Sequence, residues 1–195
     1  RVDICENGTD VYVRIIDYKT GKKDFNIVKT YYGIDIQLMV YMEAAMKLVA
    51  KMRPGKNVIP AGVFYYNISD PIVSATTESA EEIEDKIKGE LRLKGMVNSD
   101  KDIAEKMDNT EGTSLNIPVS RKADGGFDSR RSKVMNTEQF NMLGRFVDVR
   151  AIDTADRIAG GDIRRSPYKD GQFSSCDRCP YGAVCGFSVD LPGCN

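Results

Sequence analysis

The sequence predicts an α/β fold: a small mixed sheet flanked by helices, closed by an irregular, cysteine-bearing C-terminal tail. Three observations carry this. Apolar residues alternate with polar ones from Val2 to Ile16. An apolar stripe at spacings of three and four then runs through residues 31–52, followed by a Val-, Phe- and Tyr-rich run. Four of the five cysteines fall after residue 175.

At 195 residues the chain has room for a single domain, 1–195, with a substantial core. A composition of 41% hydrophobic and 29% charged residues is that of a globular rather than a disordered chain. The formal net charge of −1 excludes a chain that is basic throughout. Cations do cluster locally at Arg130, Arg131 and Lys133, and at Arg164 and Arg165. No apolar run approaches the roughly 20 residues that span a bilayer, so no membrane partner is expected. The chain opens Arg1-Val2-Asp3-Ile4-Cys5, already strand-like and without a signal pattern, and reads as a fragment of a larger protein. A disulfide framework would spread cysteine pairs along the chain. Their crowding at Cys176, Cys179, Cys185 and Cys194 points instead to an intracellular, cytoplasmic protein with a metal or cluster site.

Taken in order, residues 1–19 form a β-hairpin with its turn at Asn7-Gly8. Val11, Val13 and Ile15 share one face, Tyr12, Arg14 and Ile16 the other, and Asp17 and Lys19 continue the first. A helix over 31–52 carries Ile34, Leu38, Tyr41, Ala45, Leu48 and Met52 on one stripe and ends at Pro54-Gly55. Ile59 to Ile68 reads as a buried strand stopped by Asp70-Pro71. Residues 74–135 read as an insertion, with helices near 78–92 and 103–107, a strand at 115–119 and a turn at Ala123–Gly126. A long helix follows from Thr137 to Ala159, closed by Gly160-Gly161. The tail, 166–195, is irregular and cysteine-rich.

A buried strand face that ends in Asp17 and Lys19 is the first chemical signal. Asp-x-Lys on a strand puts carboxylate and ammonium on one side, about 7 Å apart at Cα. That suits metal-assisted phosphodiester hydrolysis. The carboxylate holds Mg²⁺, the ion polarises phosphate and acidifies a bound water, and the ammonium orients that water or meets developing charge. The tripeptide alone is common, and most such pairs are surface ion pairs. Its surroundings make the case: Asp3 on the preceding strand offers a second carboxylate, and Gln37 and Tyr41 stand at i and i+4 on the next helix. A two-residue turn at Asn7-Gly8 would set Asp3 opposite Tyr12, five residues short of Asp17. Joining the two carboxylates on one ion therefore needs a longer loop or a bulge.

These segments, Arg1-Val2-Asp3, Ile16-Asp17-Tyr18-Lys19-Thr20-Gly21 and Gln37-Leu38-Met39-Val40-Tyr41, resemble the PD-(D/E)xK nucleases of the RecB type. The resemblance implies a restriction-endonuclease-like core in which Asp3 and Asp17 bind metal, Lys19 is catalytic, and Gln37 and Tyr41 support the site. It also implies the Tyr18 carbonyl as a further metal ligand.

Cys176-x2-Cys179-x5-Cys185 gathers three soft ligands suited to zinc or an iron–sulfur cluster. With no histidine in the chain, a zinc site would be all-cysteine, and Cys194 or Cys5 is available as a fourth ligand. The tail from Ser166-Pro167-Tyr168-Lys169 through Cys176-Asp177-Arg178-Cys179-Pro180-Tyr181 to Cys185 resembles the C-termini of the AddB family, found in AddAB helicase–nucleases. So do Leu93–Val97, Ile117-Pro118-Val119 and Gly126–Arg130. That resemblance implies a 4Fe–4S cluster on Cys176, Cys179 and Cys185 with a fourth cysteine far upstream, so this chain alone is expected to lack an intact cluster. It further implies DNA as substrate, an AddA-like helicase–nuclease as heterodimer partner, exodeoxyribonuclease activity and a role in double-strand-break repair. No Gly-x-x-x-x-Gly-Lys-Ser/Thr motif is present. The alternatives are a Cas4-like stand-alone exonuclease, or a non-catalytic iron–sulfur or zinc DNA-binding module.

Overall fold

Cross-strand pairing, rather than helix packing, sets the frame of the molecule. The computed structural model describes residues 1–68, 70–73, 79–171, 173–177 and 179–188. It divides into two units, residues 1–149 and 150–195.

The first unit is built on a five-stranded sheet, β1 (Val2–Asn7), β2 (Asp10–Lys19), β3 (Asn57–Asn67), β4 (Lys94–Asn98) and β5 (Val134–Met135), in that spatial order. Pairing alternates: β1/β2 and β3/β4 are antiparallel, β2/β3 and β4/β5 parallel. The hairpin turns at Gly8-Thr9, one residue later than the sequence suggests. Gly8 takes φ +62, which a Cβ disfavours, and Asn7 pairs with Asp10.

The parallel β2/β3 pair needs a crossover, supplied by α1 (Ile27–Tyr31) and α2 (Gln37–Met52). Asn26 caps α1, its carboxamide oxygen accepting from the Val28 and Lys29 amides. In α2 the buried stripe is Leu38, Met39, Met42, Ala45 and Val49. This corrects the expected phase, because Tyr41, Leu48 and Met52 lie exposed. The helix carries two apolar stripes, and the one that meets β2 and β3 becomes core.

Both sheet faces are covered. Val11, Val13 and Ile15 pack with α2, Val63, Tyr65 and the first half of α5 (Thr137–Ala159), through Phe140 and Val147. On the other face Ile16, Phe64 and Val97 meet Ala104 of α4 (Lys101–Met107), Ile117 and Val119. A bulge reconciles the two faces. Val13 pairs with Pro60 but Arg14 with Gly62, leaving Ala61 as the extra residue. Pro60 lacks an amide to donate, and its carbonyl accepts from Asn98 Nδ2 at 2.7 Å.

The charged region yields α3 (Ala80–Leu91), started by a Ser79–Glu82 capping box. The expected start near Glu78 lies outside the described residues. Residues 115–119 form no strand. They are held as a loop around Asp108, whose carboxylate accepts from Thr110 N, Ser114 Oγ and Asn116 Nδ2. The Ala123–Gly126 turn is present, with Lys122 N donating to the Gly126 carbonyl.

The second unit holds the end of α5, closed by Gly161 at φ +72, a short β6/β7 pair (Lys169–Asp170, Phe173–Ser174) and α6 (Gly182–Cys185). Among the described residues, no helix is long and apolar enough to cross a membrane.

Candidate active site

The C-terminal end of β2 carries the chemistry because strand alternation runs out of apolar residues there. Asp17 and Lys19 continue the face of Val11, Val13 and Ile15, as expected. Lys19 Nζ lies 2.8 Å from Asp17 Oδ2. Lys19 Nζ also donates to Gln37 Oε1 at 2.8 Å, and Gln37 Nε2 donates to the Tyr41 hydroxyl at 2.9 Å. The first turn of α2 therefore orients the ammonium at the strand end, through the i, i+4 pair the sequence displays.

Beneath them sits Tyr65, the parallel-strand partner of Asp17. Its ring lies 5.7 Å from Lys19 Nζ and 5.8 Å from Lys23 Nζ, a cation–π arrangement. Burial, with the charges of Asp35 and Asp17 adding to it, pushes the Tyr65 phenol up to about 12. Lys23 pairs with Asp35 at 2.5 Å. The Asn67 carboxamide clasps the backbone of Lys23 from both sides, at 3.0 Å each. Tyr65, Asp35, Lys23 and Asn67 are neighbours the sequence reading misses. Only the β2/β3 register, which pairs Tyr65 with Asp17 and Asn67 with Lys19, reveals two of them.

Asp3 is elsewhere. It pairs with Arg14, so its side chain shares the face of Tyr12, Arg14 and Ile16, opposite to Asp17. It lies 2.7 Å from Arg1 Nε and 2.9 Å from Arg14 Nε. Partial burial would raise its carboxyl, but the two guanidiniums outweigh that and hold it below the ordinary carboxylate range. The register thus corrects the expectation that Asp3 and Asp17 meet on one ion. An open cleft of about 590 Å³ also lies on this far face, lined by Arg14, Tyr18 and Tyr66 among others. Neither Asp17 nor Lys19 lines it.

Asp17 does fit a metal ion on its own account. Its Oδ2 is buried and, apart from the adjacent Lys19 charge, has no hydrogen-bond partner. A buried carboxylate oxygen whose one close neighbour is a flexible ammonium is suited to a hard cation. The described residues supply one such carboxylate: among them no group of three or more Asp, Glu or Cys side chains is placed to share an ion. In the second unit Cys176 and Cys179 are exposed and Cys185 partly so, all with free thiols. Cys179 N donates to the Cys176 carbonyl, and Arg165 Nη1 to the Cys185 carbonyl at 2.8 Å. Cys194 lies outside the described residues, and Cys5 is exposed on β1.

A mixed sheet whose strand end presents Asp-x-Lys, with a Gln and a Tyr behind the lysine, defines a nuclease of one broad class. The chain belongs to the PD-(D/E)XK nuclease superfamily, whose family model matches residues 1–186. It is similar over 99% of its length to several proteins, each named as the B component of an ATP-dependent helicase/deoxyribonuclease. That of Thermoanaerobacter sp. (strain X514) is 37% identical, that of Clostridium botulinum (strain Hall) 38%, and that of Caldanaerobacter subterraneus subsp. tengcongensis 39%. The chain spans 17% of the length of each of these relatives.

Proposed function

We propose that this chain is the nuclease domain of an ATP-dependent helicase–deoxyribonuclease, hydrolysing DNA phosphodiester bonds in double-strand-break processing. One observation carries the reading: the buried Asp17 Oδ2 ion-paired with Lys19, a lysine that Gln37 and Tyr41 hold in place. Asp17 is the carboxylate for Mg²⁺, with the Tyr18 carbonyl as a second ligand. Mg²⁺ keeps several waters and uses one or two carboxylates with substrate phosphates, so a single protein carboxylate is a workable start. When bound, the ion supplies Lewis acidity toward the phosphate.

The chain's own groups do the rest. Lys19 carries its positive charge within reach of Asp17 and meets the negative charge that develops on phosphate oxygen. Gln37 Oε1 limits the rotamers open to Lys19, and Tyr41 orients Gln37. Asp3 serves through its ion pairs on the far face, tying β1 to β2 through Arg14.

The name shared by the relatives supports a longer parent protein that works with a helicase. We assign the ATP-dependent step and an AddA-like partner to that assembly, and a cytoplasmic setting to the whole. Residues 74–135 are read as an insertion in the nuclease domain. Cys176, Cys179 and Cys185 are the ligands that this chain contributes to a 4Fe–4S cluster, the fourth coming from the parent protein. The test is DNA cutting with Mg²⁺ by the full-length parent protein in its complex, with the partner's own nuclease inactivated. Asp17→Ala and Lys19→Ala should each abolish cutting by this domain. Undiminished cutting by both leaves only a DNA-binding role.

A further inference from the structure

The row of side chains that holds Asp17 continues across the sheet. Asp17 on β2 pairs with Tyr65 on β3, and Tyr65 pairs with Lys94 on β4. Paired residues point to one side of a sheet, so Lys94 shares the face of Asp17 and Lys19. Met96, two residues further along the same face of β4, packs against the main core. Lys94 therefore stands where the core face of β4 runs out, as Asp17 and Lys19 do on β2. Two strand spacings put its Cα about 10 Å from that of Asp17.

Lys94 lines a recess of about 230 Å³ together with Lys22, Lys23, Asp24, Asn67 and Glu90. Two of these residues tie the recess to the candidate site. Asn67 is the strand partner of Lys19, and Lys23 Nζ lies over the same Tyr65 ring as Lys19 Nζ. Three lysines line the recess against two carboxylates, which leaves one positive charge in excess. Two of the charges are already engaged from outside it, Asp24 by Lys133 and Lys23 by Asp35. Glu90 and Lys22 are exposed, whereas Lys94 is half-buried. Among the described residues, neither the Lys22 nor the Lys94 ammonium has a hydrogen bond or an ion pair. Burial strips an ammonium of water, so a half-buried one is ordinarily paired. Without a carboxylate of its own, Lys94 suits an anion that arrives with the substrate.

We propose that Lys94 binds a phosphate of the DNA backbone next to the one attacked at Asp17, with Lys22 beside it in the recess. The proposal rests on the nuclease reading above. A phosphodiester carries charge but no base identity, so this contact fixes the position of the strand without selecting its sequence. One nucleotide step and the lysine stem together cover the separation from Asp17. A lysine that only laid its stem along the end of the sheet would need no charge, and that difference separates the two roles.

The test is cutting of a short single-stranded oligonucleotide with Mg²⁺, at a series of salt concentrations, by the full-length parent protein in its complex with the partner's own nuclease inactivated. Lys94→Gln should raise KM about tenfold and leave kcat within about twofold, as expected for losing one charged hydrogen bond made alike in ground and transition states. The slope of log(kcat/KM) against log[salt] should become shallower by about 0.7, the share of one neutralised phosphate on a single strand. Lys94→Met keeps the stem and should match Lys94→Gln, whereas Lys94→Arg should keep the wild-type KM and slope. The Met variant carries the test if Lys94→Gln disturbs folding. A wild-type KM in Lys94→Met overturns the contact and assigns the lysine to packing. A raised KM with an unchanged salt slope overturns it as well. Full cutting by Asp17→Ala and Lys19→Ala would instead overturn the nuclease reading, so the two failures are distinct.

Discussion

Replacing Asp108 with Asn tests how the second sheet face is held beneath the site. Asp108 is 8% exposed, and its carboxylate accepts from Thr110 N at 2.7 Å, Ser114 Oγ at 2.7 Å and Asn116 Nδ2 at 2.8 Å. Burial alone would push its carboxyl up. The hydrogen bonds outweigh burial and bring it down to about 2, against an ordinary 3.8. At roughly 1.4 kcal/mol per pH unit, that depression is worth about 2 kcal/mol of folding stability at neutral pH. The folded value lies below the unfolded one, so the contribution is complete above about pH 4 and is lost as pH falls toward about 2. Asn keeps the shape but sets an NH₂ donor among three donors, leaving at least one unpaired. Urea unfolding of the 195-residue chain at neutral pH should therefore show Asp108→Asn destabilised by about 2–3 kcal/mol. The melting temperature should fall by roughly 4–8 °C. The gap between wild type and variant should narrow toward about pH 2.5. The segment that Asp108 organises carries Ile117 and Val119, which pack under Ile16, the residue before Asp17. A loss under about 0.5 kcal/mol, or one equally large at low pH, would refute the assignment.

Other perturbations follow from the same geometry. Gln37→Leu removes the acceptor 2.8 Å from Lys19 Nζ, and should lower kcat about tenfold with DNA affinity held within about twofold. Tyr41→Phe should act in the same direction but less, and unaltered kcat in both would show that the lysine needs no such support. Gly95→Ala would bring a Cβ to 1.9 Å from the Val63 carbonyl oxygen and 2.9 Å from Phe64 Cα. These are backbone atoms of a central strand, so a loss of about 3 kcal/mol or more is expected, and a wild-type melting curve would contradict the close approach of β3 and β4. At Glu43, burial first and then the charge of Asp148 push the carboxyl upward, with Lys47 and Arg145 opposing. Its folded value lies above the unfolded one, so stability rises as pH falls through the folded value. Glu43→Gln should be more stable than wild type near pH 7 or above, with the difference fading below about pH 4 in the same unfolding assay.

The sequence makes the framework legible where periodicity is strict. The Val11–Val13–Ile15 face, its continuation into Asp17 and Lys19, and the span of the long helix Thr137–Ala159 follow from alternation and glycine punctuation. Phase in α2 does not, because Tyr41, Leu48 and Met52 form as regular a stripe as Leu38, Met42, Ala45 and Val49. Only the partner strands choose between them. The partner of Asp3, but not its facing, hangs on one turn. Moving the hairpin loop to Gly8-Thr9 pairs Asp3 with Arg14 in place of Tyr12, and both lie on the face away from Asp17. Residues 115–119 look like a strand by composition, yet the polar groups around Asp108 capture their backbone as a loop. Tyr65, Asp35 and Lys23 escape sequence reasoning because three separate segments bring them to one point.

One carboxylate and one lysine at the end of β2 carry the proposed chemistry. The most direct test is the rate of single-stranded DNA cleavage with Mg²⁺ by the full-length parent protein in its complex, the partner's own nuclease being inactivated, across Asp17→Asn, Lys19→Ala and Asp3→Asn. Losses of about 10³-fold or more are expected for the first two, and a change within about fivefold for Asp3→Asn. Cleavage that survives Asp17→Asn but is abolished by Asp3→Asn would contradict the assignment.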